Sequence, residues 1–211
     1  MVSSFLLAVP IGVDIVMELV SSLIALVIAY YAAIGYKATL SRSLLHLNIS
    51  FSLLGCGLLV DGLLTSLSIA ILKLSQNEAL MLFKSSIAIL YVCEFIAFGL
   101  LLYSYLRMGL RGSLATFSLS SLALMRGYIP VLEALLVIML LLIFIQAISN
   151  ASSSKTKESM LVSMAFLSLC LSHIFFMLIR IWIFSYIIAH LLQLLGFVFL
   201  LAMLLIVRSK R

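Results

Sequence analysis

Long apolar runs separated by short polar breaks make up the chain, and charged residues cluster at the breaks. Residues 30–57, YYAAIGYKATLSRSLLHLNISFSLLGCG, show the plan: one run ends in a short basic turn holding Lys37 and Arg42, and a second begins. Helices are predicted over Pro10–Ile34, Ser43–Leu67, Ala79–Leu106, Pro130–Ser149, Ser159–Trp182 and Tyr186–Val207. Each matches the roughly 20 residues that span a bilayer core of about 30 Å. The stretch Ser113–Gly127 is harder to place. At about 1.5 Å per residue its uncharged part reaches only about 18 to 20 Å. Its serines and threonine are nevertheless spread around the helix, unlike the single polar face of an interfacial helix.

Charge bias arbitrates between six and seven crossings. With the N-terminus outside, six helices leave the basic residues almost evenly divided between the two sides. If residues 113–127 cross, Lys37, Arg42, Arg107, Arg111, Lys155, Lys157, Arg208, Lys210 and Arg211 fall inside, and only Lys73, Lys84, Arg126 and Arg180 fall outside. The positive-inside rule favours the second arrangement. The expected fold class is therefore all-α, a polytopic transmembrane helix bundle with seven helices (3+1+3 with a short linker helix) preferred over six (3+3). The units are 1–108, the linker 109–128, and 129–211, in one integral membrane domain whose C-terminus is cytoplasmic.

The second half repeats the first. Sliding the chain by 115 residues, the distance from Glu18 to Glu133, also pairs Arg42 with Lys157, Phe51 with Phe166 and Leu54 with Leu169. With a shorter loop before the third spans, Glu94 stands opposite His190. Two units in the same orientation need a linker that crosses, whereas a chain of six helices makes them inverted. The first unit, with Tyr36, Thr39, Arg42, Leu44, Leu45, Phe51, Leu54, Gly57 and Gly99 to Tyr103, resembles small three-helix membrane proteins of archaea whose function is unassigned. It departs from them at Asn48 to Ser50, where a glycine is expected before the phenylalanine. The resemblance implies duplicated three-helix units and no catalytic or ligand residues.

Composition agrees with the membrane reading. Hydrophobic residues make up 65% and charged residues 9% of the 211, against about 25% charged in soluble domains, and the mean hydropathy is +1.35. The formal charge of +6 is scattered at span ends, which is topogenic and no footprint for nucleic acid. Cys56, Cys93 and Cys170 lie inside apolar runs without metal or redox spacing and read as small hydrophobes. Expected partners are the lipid bilayer and, beyond it, other membrane subunits or further copies of the chain.

Candidate chemistry comes in two groups. The first is an intramembrane polar path or pairing: His46, Ser50, Gly57 and Asp61 share one face of the second helix, and Glu94 near the middle of the third is placed to meet His173. Close helix packing is the competing reading for both. The second group is an outer charge cluster of Glu18, Glu133, Arg126, Arg180 and His190, with independent snorkelling to headgroups as its alternative. A b-type haem would need His173 and His190 as axial ligands, but neighbouring helix axes about 8 to 10 Å apart leave little room for one. No cofactor or metal is expected, and no hydrolase, phosphate-loop or zinc motif is present. The expected function is that of a non-enzymatic membrane-embedded sensor or accessory subunit of a larger complex. The alternative is a small transporter or channel built from repeated three-helix units.

Overall fold

The computed structural model describes residues 2–72, 75–109, 129–182 and 184–209. They form six helices: α1 (Val2–Thr39), α2 (Arg42–Ile71), α3 (Gln76–Gly109), α4 (Ile129–Ser154), α5 (Lys157–Met177) and α6 (Ser185–Ser209). A short 3-10 turn, Leu178–Arg180, follows α5. All six helices are long and apolar enough to cross a bilayer, so the protein is a polytopic membrane protein. The count among the described residues is six, against the seven that charge bias favours. The uncharged part of the extra segment is short for a bilayer core. Apart from Gly109, which closes α3, the expected linker helix 109–128 lies outside the described residues.

The helices run longer than the apolar stretches that announce them. α1 starts at Val2 instead of Pro10, and membrane helices tolerate an internal proline. α5 is shorter, ending at Met177 where the backbone tightens into the 3-10 turn before Trp182.

Apolar residues face outward as well as into the core. Val16, Leu23, Val27, Tyr30 and Ile34 on α1 are exposed, as are Ile138, Leu142 and Ile145 on α4, while Ser21, Ser22, Ser50, Ser86, Ser172 and Gln193 are buried. Lipid takes the apolar faces, and the interior collects the polar groups.

Within the described residues, α1 packs on α2, α2 on α3, α4 on α5 and α5 on α6, and the circuit closes through α3 with α4 and α1 with α6. Two possible three-helix halves result. Their first turns are alike in detail. Among the described residues, Leu40 and Lys155 are the two non-glycine residues with positive φ, at 53° and 51°, and they are separated by the same 115 residues as Glu18 and Glu133. Leu40 N donates to Tyr36 O at 2.7 Å, and Lys155 N donates to Ala151 O at 2.9 Å. Leu45 N to Ser41 O and Met160 N to Thr156 O are both 3.2 Å and sit at matching positions. Each turn thus closes the preceding helix through a left-handed residue.

Small residues set the distances within each half. A Cβ on Gly57 would meet Cys93 Cβ at 2.7 Å, one on Gly55 would meet Leu26 Cγ at 2.8 Å, and one on Gly196 would meet Leu169 Cγ at 2.8 Å. Between the halves the core is aromatic. Phe51 of α2 meets Phe197 of α6 edge to face at 6.0 Å, and Tyr105 of α3 meets Phe166 of α5 at 5.7 Å. Phe51, Phe98, Phe166 and Phe197 are fully buried.

Contacts across the halves fix helix directions. Tyr91 in the first half of α3 bonds Glu133 near the start of α4. At the other end of α3, Tyr105 lines a pocket with Asn150, near the end of α4. α3 and α4 therefore run the same way. α1 and α6 do too, since Asp14 approaches His190 and Arg208 lies 5.3 Å over the Tyr31 ring. The starts of α1, α3, α4 and α6 share the first end of the bundle, and their C-termini share the second.

Candidate functional site

At the first end the six helices enclose a cavity of about 370 Å³. Every helix contributes an ionisable group: Asp14 and Glu18 from α1, Asp61 from α2, Glu94 from α3, Glu133 from α4, His173 from α5 and His190 from α6. All seven are buried. Five carboxyls face two imidazoles, so full ionisation of both kinds would leave three uncompensated negative charges within a membrane bundle. Uncompensated charge there is strongly unfavourable. Protons or a cationic ligand must balance it.

The tightest part is a triad across the halves. Tyr91 Oη donates to Glu133 Oε1 at 2.5 Å, and His173 Nδ1 lies 2.7 Å from Glu133 Oε2. Both carboxyl oxygens of Glu133 are thereby engaged, tying α3, α4 and α5 together. Phe98 and Phe176 pack edge to face on the His173 ring, at 6.1 and 5.9 Å, and hold its orientation.

The other wall is less satisfied. Glu18 from α1 and Asp61 from α2 line this wall as electrostatic neighbours. Gly62 makes room for the Glu18 carboxyl, since a Cβ there would sit 3.3 Å from Glu18 Oε2. His190 Nε2 approaches Asp14 Oδ1 to 2.9 Å, yet neither atom has a hydrogen-bond partner, so the approach is off line. Glu18 Oε2, Asp61 Oδ1, His173 Nε2 and His190 Nδ1 are also buried without partners. Tyr186 lines this wall with its ring centroid 4.6 Å from that of His190.

The two groups expected from the sequence are redistributed. Glu94, His173 and Asp61, assigned to a path, line the same cavity as Glu18, Glu133 and His190, assigned to an outer cluster. His173 makes its hydrogen bond to Glu133, with Glu94 an electrostatic neighbour of both. His46 and Ser50 are not among the cavity's lining residues. His46 packs on Tyr103 at 5.8 Å, Gly57 is pressed against Cys93, and Ser50 is buried without a partner. The polar face of α2 is thus largely a packing face that reaches the cavity at Asp61. Arg126 and the Arg180 side chain lie outside the described residues. Phe176 touches both the His173 and His190 rings, and among the described residues no group of three or more His, Cys, Asp or Glu is arranged to hold a metal ion.

Sequence reading missed Asp14 as a cavity residue, together with Tyr91, Tyr186 and Gln193. A signal was available in the i, i+3 and i, i+4 spacings Asp14/Glu18, Tyr91/Glu94 and His190/Gln193, which put each pair on one helical face.

A second, smaller cavity of about 250 Å³ lies at the other end, lined by Ser43, Ser104, Tyr105, Asn150 and Ser159 among apolar residues. Phe51, Leu54, Phe98, Leu169 and Phe197 are buried in the core and line neither cavity. No family model, curated protein or solved structure matches this chain.

Proposed function

We propose that the protein is a small proton-coupled carrier in which two three-helix units of like orientation enclose a binding site toward one end of the bundle. The observation that carries the reading is the convergence of five carboxyls and two imidazoles, one or two from every helix, on one cavity at the first end. Groups that can exchange a balancing proton for a ligand are what coupling requires. The cavity at the opposite end and the aromatic layer between the two support it further, since carriers place the site at the repeat interface and expose it alternately. A sensor or accessory subunit needs no such excess of buried carboxyls.

The equivalent turns at Leu40 and Lys155 support duplicated units. The common direction of α3 and α4 supports the parallel form. Lys37, Arg42, Lys155, Lys157 and Arg208 all belong to the second end, so the positive-inside rule makes that end cytoplasmic and the acidic cavity external.

The test is proton movement in liposomes holding the purified protein and an internal pH-sensitive dye. A pH gradient should dissipate faster than in empty liposomes, and Glu18→Gln should return it to the empty rate. Equal rates with and without the protein, across a range of added solutes, contradict the proposal.

A further inference from the structure

We infer that the ligand of the acidic cavity is a small organic cation with an apolar body, held between the carboxyls of α1 and α2 and the aromatic rings of α5 and α6; this rests on the carrier reading above. The acidic side supplies charge. Glu18 Oε2 and Asp61 Oδ1 are unpartnered, and their residues are only 5% and 4% exposed. Buried acceptors of this kind require a donor or a cation to reach them.

The opposite side supplies ring surface. Phe176, Tyr186 and His190 pack with ring planes close to perpendicular: 68° for Phe176 with Tyr186, 81° for Phe176 with His190 and 86° for Tyr186 with His190. Their centroids are 4.6 to 6.1 Å apart, too close for anything to sit between them. The ligand therefore rests against the surface that the half-buried Phe176 and Tyr186 present to the cavity. An aromatic face within about 6 Å of a cation attracts it through the ring quadrupole.

The remaining walls select against other ligands. Leu58, Phe83, Ile87 and Leu90 make much of the lining apolar, which suits an organic body, and among the described residues no three of the acidic and imidazole groups are arranged to hold a metal ion. Five carboxyls repel anions. At about 30 Å³ per water the volume holds roughly a dozen waters, or an organic cation of about a dozen non-hydrogen atoms.

The probe is 1-methyl-4-phenylpyridinium, whose charge is fixed, with 4-methylbiphenyl as its neutral counterpart and sodium as the inorganic control. Binding is measured by equilibrium dialysis on the full chain in detergent. The pyridinium should bind and the biphenyl should not. Tyr186→Leu should weaken binding by about five- to thirtyfold, and Glu18→Gln by about tenfold or more. Both variants are first matched to wild type by gel filtration, and Asp61→Asn replaces Glu18→Gln if that protein does not fold. Equal binding of the biphenyl, sodium binding without the pyridinium, or unchanged affinity in the folded variants overturns the inference. Protein-dependent proton flux without pyridinium binding overturns it too and leaves the carrier reading standing. Pyridinium binding without any flux upholds the ligand class and overturns the carrier.

Discussion

Around Asp14, Glu18, Asp61 and Glu133 the helices enclose five carboxyls, whereas at the other end five of the same six helices enclose Ser43, Asn150 and Ser159 and no carboxyl. Outside these cavities the contrast reverses. The turn residues Lys37, Arg42, Lys155 and Lys157 surround the second end. Negative groups are buried where the helices must converge, and positive groups are left at the surface, where they snorkel at little energetic cost. One end of the bundle therefore holds the buried titratable groups, and the other the basic turns.

The strongest way to break this contrast is to empty the triad that closes the acidic end. Glu133→Ala leaves the Tyr91 hydroxyl and His173 Nδ1 buried without their partner and should destabilise the protein by about 3 to 5 kcal/mol, seen as a large fall in the thermal unfolding midpoint in detergent. A loss below that of an ordinary surface change would show that the triad does not hold the halves together.

Next in size is the small-residue contact behind the cavity. Gly57→Val forces new atoms onto Cys93 Cβ, already 2.7 Å from a Cβ at that position, and should cost about 1 to 3 kcal/mol. Gly99→Ala, whose Cβ would meet Met139 Cε at 3.7 Å, should be tolerated. Equal thermal shifts for the two would contradict the packing account.

The two turns at the basic end sharpen the comparison by their likeness. Leu40→Gly and Lys155→Gly each remove the penalty for a left-handed residue, about 1 kcal/mol, so both should raise the unfolding midpoint by similar small amounts. Opposite signs would deny that the turns are equivalent. Cysteines placed at Lys37 and Lys155 in a background without Cys56, Cys93 and Cys170 should react with a membrane-impermeant reagent from the same side. Reaction from opposite sides would sink the parallel arrangement of the units.

Much of this layout is legible in the sequence because lipid solvation writes itself as hydropathy. The apolar runs and basic turns locate six spans, though helix ends overrun them where polar turn residues remain helical, as at Thr39 and Ser154. The site was legible only residue by residue. Depth along a helix axis can be counted from the chain, so Glu94 and His173 were placed at similar levels. Azimuth cannot be counted in that way. It decides that Glu133, not Glu94, bonds His173, and that His46 turns to Tyr103 while Asp61 turns to the cavity. Tyr91 was invisible for another reason: a tyrosine inside an apolar run shows no partner until α4 is brought beside it.

The most direct test sets the two ends against each other in one assay. Proton flux is measured in liposomes holding Glu94→Gln, at the heart of the acidic cavity, and His46→Ala, which lies outside it. The account predicts that Glu94→Gln falls to the level of empty liposomes and that His46→Ala keeps the wild-type rate. Normal flux in Glu94→Gln, or loss in His46→Ala alone, would contradict it.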